Sequence, residues 1–193
     1  MSKFLILTWK KIYEASLKLA LEIVREGLEV DLIVGILRGG YIVARILSDL
    51  LGTDNIGVVE VKFYKGIEER AERPIITQPL TADVRGKNVL IVDDVVDSGR
   101  TLEIVTEQVR LRGARSVRTA VLFYKPRSII KPDFFAQETN DWVVFPWEFC
   151  EFARELKTCE QISDIKSLIT KLRSIGFPEE ETLLEDLITL CRV

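Results

Sequence analysis

The segment Val89–Val105, VLIVDDVVDSGRTLEIV, runs an apolar stretch straight into two adjacent carboxylates, Asp93 and Asp94, and adds a third at Asp97. Carboxylates this close repel one another and raise each other's pKa unless a cation or hydroxyl groups share the space. The next residues, Ser98-Gly99-Arg100-Thr101, supply a glycine for tight backbone geometry, two hydroxyl side chains, and the opening of a helical pattern. Backbone N–H groups at a helix start form a ready anion cradle. A carboxylate rim beside such a cradle suits one molecule that carries hydroxyls, a phosphate and a divalent ion, as a phosphorylated sugar does. The plainer reading of the same residues is a solvated acidic loop capping a helix. A Walker P-loop, GxxxxGK[ST], is absent.

The rest of the composition narrows the chemistry. The chain has no histidine, which removes Ser-His-Asp and Cys-His arrangements and every histidine metal site. Any reaction must use carboxylates, Lys, Arg, Tyr, backbone groups or a bound ion. Cys150, Cys159 and Cys191 form no CxxC pair and are expected to be reduced structural thiols. A net charge of −3 argues against a nucleic-acid partner. No apolar run approaches the ~20 residues of a membrane span, and the N-terminal MSKFLILTWKK has too short an apolar core for a signal peptide. A cytoplasmic protein is expected.

Positioning the acids falls to alternating strands and helices. A helical period runs from Trp9 to Glu26 and stops at Gly27. Apolar, β-branched runs follow at Leu32–Ile36, Ile56–Val61, Asn88–Val92 and Val117–Phe123, with helical patterns at Ile42–Leu51 and Thr101–Arg112, each closed by a glycine. This order predicts an α/β fold: three layers, α/β/α, around a mainly parallel sheet. Ligands of such sheets bind outside the carboxyl ends of the strands, and Asp93 and Asp94 are expected where the third of these strands leaves the sheet. The charged stretch Lys62–Lys87, with Gly66, Pro74, Pro79 and Gly86, is long for a connection and reads as a mobile functional loop. Past Glu155 the strand signal ends. Ile162, Ile165, Leu168, Ile169 and Leu172 make one helical stripe, and a second helix is expected from Pro178 and Glu179–Glu181 onward.

VLIVDDVVDSGRT resembles the phosphoribosyl-pyrophosphate (PRPP) signature of type I phosphoribosyltransferases, a similarity extending from about Leu7 to Glu155. The resemblance implies that Asp93 and Asp94 hold the ribose hydroxyls, and that Asp97, Ser98, Gly99, Arg100 and Thr101 wrap the 5′-phosphate. It also assigns GILRGG, Gly35–Gly40, to pyrophosphate binding through Arg38 and Gly39, with a cis peptide at Leu37–Arg38. The plain alternative for GILRGG is a glycine-rich strand-to-helix turn.

The acceptor end is similar to the 6-oxopurine branch, and closest to its microbial xanthine-guanine type through Leu7-Thr8-Trp9, LRGG and the WxxxPW[DE] pattern at Trp142–Glu148. That likeness implies Lys125 as donor to the purine O6, Trp142 as the stacking ring and Val143 as the source of backbone groups at the base edge. Judged alone, Lys125 is a surface lysine and Trp142 a core aromatic. Mg²⁺ is the implied cofactor, with Asp93, Asp94 and Glu148 as its acids; Glu148 stands where the family commonly has Asp. Arg154 falls where some relatives place a pyrophosphate arginine. Tyr64 matches the tyrosine of the flexible catalytic loop, and Phe63 replaces that loop's paired serine. Asp97 is the implied general base. The expected activity is transfer of the phosphoribosyl group from PRPP to N9 of hypoxanthine, guanine or xanthine. A PRPP-sensing regulator of the same fold, or an enzyme for another base, is the alternative. Residues 1–157 are expected to form the transferase domain, with a base-binding hood from about 1–9 and 126–155. Residues 158–193 form a helical extension, and a homodimer or homotetramer is expected.

Overall fold

The computed structural model describes residues 4–64 and 73–192. In chain order its elements are β1 (Phe4–Ile6), α1 (Trp9–Arg25), β2 (Leu32–Leu37), α2 (Gly39–Leu51), β3 (Ile56–Tyr64), β4 (Arg73–Gln78), β5 (Asn88–Val96), α3 (Arg100–Leu111), β6 (Ser116–Tyr124), β7 (Phe134–Glu138), β8 (Trp142–Val144), α4 (Phe149–Cys159), α5 (Ile165–Ser174) and α6 (Glu181–Leu190). Contacts divide the chain into two units, one of residues 12–140 and one of residues up to 11 together with those from 141 onward.

The 12–140 unit is built on a six-stranded sheet of order β4-β3-β2-β5-β6-β7, parallel throughout except for β4 against β3. The central strand β2 is apolar on both faces because both are covered. Leu32, Val34 and Ile36 pack with Val89 and Ile91 against Leu102, Val105 and Val109 of α3. The alternate positions Ile33, Leu90, Val92, Ala120 and Leu122 are fully buried on the opposite face. Gly35 admits α2 there: a Cβ at Gly35 would stand 2.9 Å from the Tyr41 Cα and 3.0 Å from the Ala44 Cβ. Helices on both faces make the expected three-layer arrangement.

Two expectations about this unit need correction. The stretch Lys62–Lys87 is not a continuous loop. Its second half contains the edge strand β4, paired antiparallel with β3 from Glu60↔Gln78 to Tyr64↔Arg73. Beyond β4 the Arg112 guanidinium donates to the carbonyls of Leu80 and Ala82 and so fixes the chain there. Residues 65–72, where that loop was also expected, lie outside the described residues. The strand β5 also does not stop before the acids. It runs through Asp93 and Asp94 to Val96, in register with Val121, Phe123 and Tyr124 of β6.

In the other unit β1 and β8 form a parallel two-stranded sheet. Ile6 and Val144 pack with Phe149, Phe152 and Leu156 of α4, Leu168, Ile169 and Leu172 of α5, and Leu184 and Ile188 of α6. The helices past residue 158 therefore share one core with α4. Asp164 caps α5 by accepting from the Ser167 N–H at 2.9 Å. The expected reduced state of all three cysteines is overturned: Cys150 and Cys191 are disulfide-bonded across 41 residues, and only Cys159 is free. The packing of α6 onto α4 brings together two thiols that no local spacing relates. Closing a loop of that length stabilises by about 2–4 kcal/mol. Adding a dithiol should therefore lower the denaturant midpoint of the full chain, whereas Cys159→Ser should leave it unmoved. No described helix is long and apolar enough to cross a membrane.

Candidate active site

The end of β5 and the turn after it carry the acids. Asp94 is buried, 8% exposed. Its carboxylate accepts from the Val95 N–H at 2.8 Å, and the Asp93 carboxylate accepts from the Asp94 N–H at 3.0 Å. Local backbone donors thus hold both side chains at the carboxyl edge of the sheet, where parallel α/β sheets take their ligands. Gly40 lets α2 reach the same edge. A Cβ there would lie 2.7 Å from the Val92 carbonyl oxygen and 2.8 Å from the Asp93 Cα. These are backbone atoms that have no room to give. The peptide Leu37–Arg38 immediately before α2 is cis, as the resemblance implies.

Past Val96 the chain turns through Asp97, Ser98 and Gly99 into α3. Gly99 is required twice over. Its φ of 83° lies in the left-handed region, and a Cβ would sit 2.4 Å from the Ser128 Oγ. That second fact records a strap. The turn after β6 folds back on Asp97–Gly99, with the Lys125 N–H donating to the Val96 carbonyl at 2.9 Å and the Ile129 N–H to the Ser98 carbonyl at 3.1 Å.

The strap delivers two cations to one carboxylate. The Lys125 ammonium, on a side chain only 6% exposed, donates to the Asp97 Oδ2 at 3.0 Å. The Arg127 guanidinium forks onto the same group, Nε to Oδ1 at 2.5 Å and Nη2 to Oδ2 at 2.6 Å. Burial pushes the Asp97 carboxyl up, but hydrogen bonds from Arg127 and Lys125, with their charges, outweigh it and hold the carboxyl below its ordinary range. Beside this cluster opens a cleft of about 530 Å³ lined by Phe63, Asp97, Ser98, Arg100, Arg127 and Ile129. A narrower cavity of about 110 Å³ reaches inward to Asp93, Gly99 and Thr101. The structure thus gathers Asp93, Asp97, Ser98, Gly99, Arg100 and Thr101 around two openings that share Phe63, Asp97 and Ser98, and Lys125 meets them through Asp97. Arg127 joins the group although sequence reasoning passed over it, since an exposed arginine gives no signal by itself.

Other site candidates lie on α2, on β3 and in the second unit. Arg38 is exposed and directly precedes Gly39, the first residue of α2. The Tyr64 side chain lies outside the described residues. Trp142, Val143, Glu148 and Arg154 belong to the second unit. Trp142 is 47% exposed, not the core aromatic its type alone suggests. Val143 is buried and in register with Leu5 of β1. The Glu148 N–H donates to the Phe145 carbonyl at 3.0 Å, just before α4. The Arg154 Nε donates to the Cys191 carbonyl at 3.1 Å, so the C-terminal end of α6 engages part of the guanidinium expected at pyrophosphate. Among the described residues no group of three or more His, Cys, Asp or Glu side chains could hold a metal ion.

Comparison with known proteins agrees with this geometry. Residues 5–153 match the model of the phosphoribosyl transferase domain. The xanthine-guanine phosphoribosyltransferase of Gluconobacter oxydans is 35% identical over 143 residues, covering 73% of this chain and 82% of that protein. The hypoxanthine-guanine phosphoribosyltransferase of Pan troglodytes is 29% identical, covering 67% of this chain and 66% of its own. Among solved structures, a purine phosphoribosyltransferase from Pyrococcus horikoshii superimposes with a TM-score of 0.68 at 41% identity, over 75% of this chain and 93% of that one. With residues 5–153 covered by that domain and relatives named for phosphoribosyl transfer matched over about three quarters of its length, this chain belongs to the phosphoribosyl transferase domain family.

Proposed function

We propose that this protein transfers the phosphoribosyl group of PRPP to N9 of a 6-oxopurine, giving the nucleoside 5′-monophosphate and pyrophosphate in purine salvage. The observation that carries the reading is the Lys125–Asp97 pair beside the Ser98–Thr101 turn. A buried ammonium suits the O6 acceptor of hypoxanthine, guanine or xanthine, and a carboxylate within 3.0 Å of it suits a proton leaving the same purine. The relatives named for xanthine, guanine and hypoxanthine support the same acceptor class.

In this mechanism the protein supplies position and charge, and no nucleophilic side chain is needed. Asp93 and Asp94 hold the ribose hydroxyls near the carbon where positive charge develops. Amides and hydroxyls from Ser98 to Thr101 take the 5′-phosphate at the start of α3, Arg38 and Gly39 take the leaving pyrophosphate, and Asp97 accepts the N7 proton as N9 attacks. Trp142 offers an exposed indole face for stacking on the base, worth about 1–3 kcal/mol, with Val143 giving backbone groups at the base edge. We assign a catalytic role to Tyr64, at the end of β3, and pyrophosphate binding to Arg154.

The family generally uses Mg²⁺ with PRPP. The adjacent carboxylates of Asp93 and Asp94 fit that ion, which prefers oxygen donors and is held by one or two carboxylates plus substrate phosphates rather than by a protein cage. When bound, the ion neutralises charge on the pyrophosphate. Residues 1–157 carry the transfer and residues 158–193 form the extension. The enzyme works in the cytoplasm as a homodimer or homotetramer.

The test is direct. Purified full chain with PRPP and Mg²⁺ is given hypoxanthine, guanine, xanthine or adenine in separate reactions, and nucleotide formation is followed. Product is expected with at least one 6-oxopurine and not with adenine. Nucleotide from adenine alone, or from none of the four, would reject the assignment.

A further inference from the structure

The turn that carries Lys125 holds a second cation to which the phosphoribosyl transfer mechanism gives no role. Arg127 lines the same cleft as Ser98 and Arg100, and its backbone is fixed on both sides by the Lys125–Val96 and Ile129–Ser98 hydrogen bonds. Its side chain is nonetheless 64% exposed. The root of the arginine is anchored over the phosphate turn while the guanidinium retains room to rotate.

Charge makes this placement consequential. A phosphate seated on Ser98–Thr101 brings about two negative charges beside Asp97, with Asp93 and Asp94 within four residues along the chain. Repulsion of that kind is tolerable only where cations intervene, and among the described residues Arg100 and Arg127 are the basic ones that line the cleft. A guanidinium binds carboxylate and phosphate with the same fork, and the phosphate carries the greater charge. The Asp97 fork is half-exposed, with side chains 64% and 42% accessible, so water and the incoming phosphate can both replace what the guanidinium gives up.

We propose that Arg127 is a phosphate-binding residue that exchanges partners: it forks onto Asp97 in the structure and turns onto the 5′-phosphate when the phosphoribosyl ligand binds, leaving Asp97 with Lys125 alone. The exchange links the two halves of the reaction. Arrival of the sugar phosphate removes from Asp97 the donor that most opposes its taking a proton, and the purine O6 then competes for Lys125. The base is armed by the substrate it serves. This inference rests on the assignment of the Ser98–Thr101 turn to the 5′-phosphate and adds a residue and a switch to it.

Calorimetric titration of the full chain with ribose 5-phosphate tests both layers. Arg127→Gln should weaken binding about tenfold, the effect of losing a charge-assisted hydrogen bond, and Arg127→Lys, which keeps the charge without the fork, should fall between. Asp97→Asn should tighten binding about two- to fivefold, because no ion pair need be broken. An Arg127→Gln protein that binds as wild type does, or an Asp97→Asn protein that binds more weakly, would overturn the exchange. If Thr101→Val weakens binding while Arg127→Gln does not, the phosphate assignment stands and only the exchange fails. A wild-type protein that gives no binding to ribose 5-phosphate overturns both.

Discussion

Asp97→Asn is expected to lower kcat by about 10²–10⁴-fold, the usual contribution of a positioned general base, without raising the KM for PRPP. The substitution is nearly isosteric. The amide oxygen still accepts from Lys125, and the backbone bonds that fasten the strap to Val96 and Ser98 do not involve the side chain. What disappears is the ability to hold a proton. If Asp97 were only a structural ion-pair partner, the loss would show as stability, because Asp97→Asn leaves the buried Lys125 ammonium without its carboxylate. A fall in kcat of that size, measured per folded molecule well below the melting temperature, therefore separates the two roles, and a mutant within twofold of wild type would refute the catalytic one.

The pH dependence has a definite sign. Arg127 and Lys125 depress the Asp97 carboxyl below its ordinary value of 3.8 against the opposing effect of burial. A depressed carboxyl contributes stability above its unfolded pKa and loses it as pH falls through the folded pKa, so any acid destabilisation from this site lies below about pH 4. The acid limb of kcat/KM, which reports the free enzyme, should lie in the same window.

Much of this arrangement could be read from the chain, and the parts that could not share a physical cause. β2, the core of β5 and the second half of β6 announce themselves as continuous apolar runs, because strands buried on both faces have no polar side to hide. The signature turn is legible because a tight left-handed residue needs glycine and a phosphate needs amides and hydroxyls. By contrast β4 alternates exposed and half-buried residues around Pro74, an edge-strand pattern indistinguishable from a charged loop. The continuation of β5 through Asp93 and Asp94 follows from pairing with β6, which no local propensity encodes. The same holds for Cys150 and Cys191, and for Arg127. An exposed arginine carries no signal of its own, and its role appears only when the turn after β6 folds onto Ser98.

Lys125→Gln should collapse discrimination between purines. Wild-type protein is expected to favour hypoxanthine over adenine by about 10⁴-fold or more in kcat/KM, as sites built on buried polar contacts do. The reason lies in the burial of the ammonium. On a side chain only 6% exposed, its protons rely on acceptors within the site, and O6 of an oxopurine supplies one. The amino group of adenine points a donor at the ammonium and offers it no acceptor, so a donor that was desolvated by the base goes without the contact a 6-oxopurine makes. Glutamine offers both a donor and an acceptor, so it rewards neither base strongly and penalises neither, and the preference should shrink by about 10²-fold or more. Lys125 also braces Asp97, and its loss will lower activity toward every purine. The ratio between two bases cancels that common loss together with any misfolded fraction. An unchanged ratio would therefore reduce Lys125 to a brace for the carboxylate, and a collapsed one identifies the ammonium as the group that reads position 6 of the base.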